Sequence, residues 1–246
     1  MYSLIAAISV FITTTLAEYI ATKNKLNIKD KIWQVILMVI LFGIIGARAY
    51  HVIDFYPYYQ ANPILILNFR AGGLGIYGGL IGGLIGVFVA SKIYIFSTKQ
   101  FLDLVSIVLP LGQSIGRWGN YFNFELYGKP YNGIFKIFVP NAYRVAGLEN
   151  ISYYHPIFFY ESFLNILLFA LMFILWKKKI VKIGSMIYLY LYILGYGLIR
   201  YTLEPLRINA WEYKNINVAT GISLMFIFIG IIGLIISSKN LRKVKR

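Results

Sequence analysis

The chain contains no cysteine. It therefore has no thiolate nucleophile, no thiolate metal site and no disulfide framework of its own, although chemistry on a thiol brought by a substrate stays open. Two histidines, His51 and His155, are too few to build a metal centre by themselves. The acids are scattered singly rather than clustered as a divalent-ion site requires, so no metal and no cofactor are expected. Charge of either sign is scarce, at 13% of residues against about 25% in a soluble domain. What charge there is leans one way, with 24 lysines and arginines against nine acids.

Apolar residues make up 59% of the chain, in runs near the ~20 residues needed to cross a bilayer. The expected fold is an all-α integral membrane protein, a single membrane-embedded domain over residues 1–246. Its spans are predicted at 2–22, 32–53, 74–90, 101–117, 157–176, 183–204 and 218–236. An external excursion over 118–156, made of loops and short strands, separates the fourth and fifth spans. The first apolar run has its lysines behind it rather than ahead, the reverse of a secretory signal peptide, and is expected to stay as an uncleaved span.

Fifteen of the 24 basic residues fall in the segments 23–31, 92–99, 177–182 and 239–246. Seven spans with the amino end outside and the carboxyl end cytoplasmic place every one of these clusters inside, as the positive-inside rule asks. The basic surplus then reports orientation and contact with anionic membrane lipids. Nucleic acid is not expected as a partner, because no basic face lies outside the loops.

Within the apolar runs, two features point to packing and caps. Glycines 75, 79 and 83, and again 78, 82 and 86, form small-residue stripes that let neighbouring helices approach closely. Asp103 is expected to stabilise the amino end of its own helix through the helix dipole. Glu18 reads as a snorkelling carboxylate near Lys23, and Trp211 and Glu212 as part of the last external loop.

The remaining polar residues collect at one level. The predicted orientation places Arg48, Arg70, Tyr77, Arg117, Asn120, Glu125, His155, Glu161, Arg200, Glu204 and Arg207 at the outer membrane face or within a few turns of it. Ionisable groups at membrane depth are rare and mark function by default. Arg200 and Glu204 are four apart and share a helix face, with Arg207 three residues beyond Glu204. Single pairs of this kind pin helices together as readily as they do chemistry. A surplus of arginine among amides is better suited to an anion, since guanidinium binds phosphate bidentately and keeps its charge when partly buried.

The run Gly116-Arg117-Trp118-Gly119-Asn120-Tyr121-Phe122-Asn123-Phe124-Glu125 closely resembles the signature of prolipoprotein diacylglyceryl transferases. So do Gly72-Gly73-Leu74-Gly75-Ile76-Tyr77-Gly78-Gly79 upstream, His155-Pro156 with Tyr160-Glu161 downstream, and the pair Arg200 and Glu204. The resemblance covers nearly the whole chain. It implies an enzyme of the bacterial cytoplasmic membrane that moves the diacylglyceryl group of phosphatidylglycerol onto the lipobox cysteine in a prolipoprotein signal peptide. A thioether forms and glycerol 1-phosphate leaves.

The same resemblance implies that Arg117 and Arg200 neutralise the lipid phosphate and the leaving group. It assigns Asn120, Glu125, Gly128, Glu161, Glu204, His155 and Tyr2 to substrate binding. Tyr77 stands where many members have histidine, the favoured proton acceptor there, and others tyrosine. A free phenol loses its proton only near pH ~10, so Tyr77 either has cations beside it or hydrogen-bonds the substrate without taking a proton. Phe124 stands where a small or polar residue is commoner. The external extension usual before the first span is missing.

Two other readings share these arginines. A transporter for an anionic solute would line a path with them, but such folds show inverted repeats and broken midplane helices, and neither is visible here. A different headgroup transferase would carry aspartate clusters, which are absent.

Overall fold

A computed structural model describes residues 1–69, 72–208, 212–213 and 216–244. Arg70 and Trp211 lie outside the described residues. The long helices are α1 (Tyr2–Lys23), α2 (Ile32–Asp54), α4 (Ile76–Ile93), α5 (Thr98–Phe122), α6 (Ile157–Lys177), α7 (Ile187–Leu203) and α8 (Val218–Val244), with a short α3 (Tyr56–Ala61) after α2. Two antiparallel strand pairs complete the regular structure: β1 (Ile137–Phe138) with β2 (Tyr153–Tyr154), and β3 (Glu212–Tyr213) with β4 (Ile216–Asn217).

Five stretches are long and apolar enough to cross a membrane: Tyr2–Lys23, Lys29–Asp54, Ile76–Ile93, Ile157–Lys177 and Val218–Lys239. The chain is a multi-pass membrane protein. The other two long helices differ for identifiable reasons. α5 carries Lys99, Asp103 and Arg117 along its length, and α7 has only 17 residues, about 25 Å of helix.

Contacts divide the chain into two units, Met1–Ala17 with Leu102–Arg246, and Glu18–Phe101. In the second unit α2 and α4 pack backbone to backbone. A methyl group on Gly82 would strike the Phe42 carbonyl, and one on Gly78 the Gly46 carbonyl. The stripe at 78 and 82 is thus the packing face, whereas Gly79 and Gly83 have ordinary van der Waals room. The helix begins at Ile76 rather than 74 because Gly72 and Gly73, at φ +82° and +74°, hold the chain in a turn. Arg48, buried in α2, donates to the carbonyls of Leu65, Ile66, Asn68, Gly72 and Gly73. It ties down that loop and has no donor left for a ligand. Glu18 accepts a hydrogen bond from the Trp33 indole at 3.2 Å instead of facing Lys23.

In the first unit α1 meets α5 where the Ser9 hydroxyl donates to the Gly112 carbonyl at 2.8 Å. Asp103 does not serve its own helix. α5 starts at Thr98, which leaves the carboxylate more than a turn inside, fully buried. It accepts instead from the backbone N–H groups of Gly184 (2.9 Å), Met186 (2.8 Å) and Leu189 (3.1 Å), capping α7. The chain at Gly184 and Met186 turns through φ +96° and +66° to present those amides. For that reason α7 begins at Ile187, four residues after the predicted start of the sixth span.

Candidate active site

α5 runs to Phe122, so the signature motif begins as helix and ends as a turn. Arg117 and Asn120 lie on the last helical turns. Beyond them the backbone curls back: the Phe124 N–H donates to the Tyr121 carbonyl at 3.1 Å and the Glu125 N–H to the Asn120 carbonyl at 2.8 Å. Phe124 and Leu126 both sit in the left-handed region, at φ +53° and +54°, a conformation that costs a bulky residue on the order of 1–3 kcal/mol. The strain brings Glu125 round, with its carboxylate oxygens 3.4 Å from the amide nitrogens of Asn120 and Asn123. It also supplies the reason a small or polar residue suits position 124.

The centre of the arrangement is Glu161, on the second turn of α6 and 1% exposed. Three arginines converge on it. Arg117 pairs through Nε with Oε2, and Arg207 through Nη2 with Oε1. Arg200 approaches Oε1 through Nη1 at 3.4 Å. Glu204, 4% exposed, takes a second bond from Arg200 at 3.0 Å and lies 3.6 Å from Arg207 Nε. Asn217 donates toward its other oxygen at 3.4 Å. Three guanidinium groups on two carboxylates leave one positive charge in excess.

The donors are unevenly spent. Arg200 commits both terminal nitrogens to the glutamates. Arg117 commits only Nε, and among the described residues its two terminal nitrogens hold no hydrogen bond. Its side chain is 23% exposed. An open guanidinium fork beside a positive surplus is suited to an oxyanion with two acceptor oxygens.

Gly128 positions Arg207. A Cβ there would come 2.8 Å from Ile157 and collide with the Leu206 carbonyl. Without it, residues 128–129 pass between these groups, and the Lys129 N–H donates to Leu206 O at 2.8 Å. Gly128 thereby bridges to Arg207. A cleft of about 280 Å³ opens beside this bridge, lined by Glu125, Tyr127, Ile157 and Arg207 among others. Tyr2 of α1 covers Gly119, two residues after Arg117, where a Cβ would stand 2.6 Å from its ring.

His155 is held in the loop just before α6. Its ring stacks on Tyr131 with centroids 3.8 Å apart, and Nδ1 lies 3.3 Å from the Tyr160 hydroxyl. Burial lowers the pKa of its imidazole from the ordinary value. It thus adjoins Glu161 through Tyr160 rather than touching the arginines. Tyr77 is on the first turn of α4 in the second unit, its ring 6.0 Å from that of Tyr50.

Several polar residues one turn deeper were not singled out from sequence. Gln113 donates to the Tyr192 hydroxyl at 2.8 Å, Ser114 and Ser162 share a 2.8 Å bond, and Asn165 donates to the Glu161 carbonyl at 2.8 Å. Their signal was spacing: Gln113 is four residues before Arg117 and Asn165 four after Glu161, on the same helix faces.

A family model described as prolipoprotein diacylglyceryl transferase matches residues 1–236. Relatives named phosphatidylglycerol–prolipoprotein diacylglyceryl transferase span most of the chain. The Clostridium novyi protein is 42% identical over 216 residues, 85% of this chain and 80% of the relative. The Thermotoga maritima protein is 35% identical over 237 residues, 96% and 80% of the two chains. The Trichormus variabilis protein is 33% identical over 238 residues, 95% and 83%. With a match of this extent and the arginine–glutamate cluster in place, the chain belongs to the prolipoprotein diacylglyceryl transferase family.

Proposed function

We propose that this protein transfers the diacylglyceryl group of phosphatidylglycerol to the thiol of the lipobox cysteine in a prolipoprotein signal peptide. The substrate sulfur attacks the glyceryl carbon that bears the phosphate. A C–S bond forms, the C–O bond breaks, and the electron pair leaves on the phosphate of glycerol 1-phosphate. The observation that carries this reading is the open fork of Arg117, one of three arginines held by two buried carboxylates.

Arg117 binds the phosphate, and its contribution grows as the leaving oxygen gains charge, which is where a fixed donor lowers a barrier. Arg200 adds its charge while keeping Glu161 and Glu204 in register. Asn120 and Glu125 orient the headgroup, and Gly128 keeps Arg207 in place. A free thiol with pKa about 8.5 is only a few per cent ionised at neutral pH, so the positive surplus also favours the attacking thiolate. Tyr77 is assigned either the proton or a hydrogen bond to substrate.

The reading includes seven membrane spans, with α5 and α7 among them, in the bacterial cytoplasmic membrane. The amino end lies outside and the carboxyl end in the cytoplasm, so the arginine cluster faces the outer leaflet. The distribution of basic loops supports this orientation.

The test is reconstitution with phosphatidylglycerol and a lipobox peptide, following peptide mass. A diacylglyceryl adduct is expected, and Arg117→Ala should slow its formation about 10²–10³-fold, the usual cost of removing a transition-state oxyanion donor. An Arg117→Ala protein working at the wild-type rate would sink the site assignment. Retained activity in Tyr77→Phe would exclude the phenol as the base.

A further inference from the structure

The loop between α5 and α6 builds a small sheet with one open edge. On one side of β2, the Tyr131 N–H donates to the Tyr153 carbonyl at 3.0 Å. On the other side β1 pairs in the register Ile137 to Tyr154 and Phe138 to Tyr153. The Val139 N–H donates to the Ser152 carbonyl at 3.0 Å. Bonded and non-bonded pairs alternate in an antiparallel ladder, so Ile137 is the next bonded residue and the N–H and C=O of Phe138 face away from β2. Among the described residues no strand covers that edge.

A groove of about 630 Å³ runs along this strand. Residues 134–138 line it together with Tyr121 from the end of α5, Phe124 from the turn after it and Phe158 from the start of α6. The strand wall is unusually bare for apolar side chains: Ile134 is 93% exposed, Phe135 62% and Phe138 53%. Lys136 is the one charged residue lining the groove. Its ammonium is already placed on Asn132 at 2.6 Å and over the Tyr153 ring at 4.3 Å.

We propose that this groove holds an extended, uncharged, apolar stretch of the acceptor polypeptide, paired through its backbone to the outer edge of β1 at Phe138. Two observations select a polypeptide over a lipid tail. An acyl chain has no use for an outward N–H and C=O, whereas an extended peptide satisfies both while its alternate side chains enter apolar pockets. The groove also abuts the arginine cluster. Tyr121 is one helical turn beyond Arg117 on α5, and Phe158 is three residues before Glu161 on α6. A segment lying in it is led toward the open guanidinium fork. The inference rests on the diacylglyceryl-transfer reading for the identity of the polypeptide, and on the sheet edge and groove for its location.

The test uses the full chain in nanodiscs containing phosphatidylglycerol. Binding is measured with a fluorescent lipobox peptide whose cysteine is replaced by serine, and turnover separately with the cysteine peptide. Phe135→Ala with Phe138→Ala should weaken peptide binding and raise KM for the peptide about tenfold or more, as loss of aromatic anchors does, with KM for phosphatidylglycerol unmoved. Phe138→Pro removes the outward N–H together with the ring and leaves the ladder to β2 intact, so its effect is read against Phe138→Ala, which removes the ring alone. It should weaken the peptide more than Phe138→Ala does, while N-methylation of the paired peptide residue, which removes the donor to the Phe138 carbonyl that proline keeps, weakens binding further in both proteins. Ile134→Ala, at the most exposed position, gives a variant whose folding is not at stake. Peptide binding unchanged in all three variants overturns the groove, and so does a rise in KM for phosphatidylglycerol alone, which would make the occupant lipid. Peptide binding that follows the variants, with no adduct formed by the wild type, leaves the groove standing and sinks the reaction.

Discussion

Replacing Glu161 by glutamine keeps the outline of the side chain and removes the charge on which three arginines meet. Glu204 would then face them alone. Breaking a buried ion pair by removing one partner typically costs about 3–5 kcal/mol. Glu161→Gln is therefore expected to lower the thermal midpoint of the detergent-solubilised protein by several degrees as well as to abolish transfer. A variant that melts with the wild type would show that the arginines have other counter-charges. At this scale the sequence was informative in part. Spacing of four between Arg200 and Glu204 foretold their bond, and the shared level of Arg117, Glu161 and Arg207 foretold a cluster. It could not foretell which donors remain open, because that depends on how three helix ends and the bridge at Gly128 divide two carboxylates. Arg48 shows the same limit. Its charge at a helix end looked like part of the site, and only the loop folded over it reveals five carbonyls taking its donors.

At the scale of elements, Asp103 joins α5 to α7 through three backbone amides. Asp103→Ala leaves those donors buried without partners, at about 1–3 kcal/mol for an unsatisfied group. The expected result is faster amide hydrogen exchange at 184–189 and a lower melting temperature, with Asp103→Asn intermediate. Unchanged exchange would contradict the cap. Helix existence was legible from apolar run length, whereas helix ends were not, because they are set by such distant partners and by residues forced to positive φ.

The loop before α6 carries a second prediction. Since burial depresses the His155 pKa, the neutral ring is the folded form. The stability it contributes is present above the ordinary imidazole pKa and is lost as pH falls through the lowered folded value. Acidification should loosen the Tyr131 stack, and His155→Gln should flatten the acid side of the stability profile in thermal melts. A wild-type profile flat on its acid side would refute it.

At the scale of the whole molecule, the absence of cysteine makes topology directly measurable, since any introduced thiol is the only one. Asn150→Cys, in the 118–156 segment that the proposed orientation puts outside, should react with an impermeant maleimide in intact cells. Lys179→Cys should react only after permeabilisation. The opposite pattern would invert the proposed orientation and move the arginine cluster to the cytoplasmic leaflet.

The distribution of the cluster along the chain also bears on how it enters the membrane. Arg117 on α5 finds its carboxylate on α6, the next long helix, and Arg200 finds Glu204 one turn on within its own segment. Both arginines thus have a carboxylate close along the chain, which lowers the cost of holding them near the membrane. Arg207, which follows α7, is the third arginine on these two carboxylates and lies beside the 128–129 segment, whose Lys129 N–H donates to the Leu206 carbonyl. The positive surplus is thus completed by a residue outside the long helices, where a charge costs least to place at a membrane.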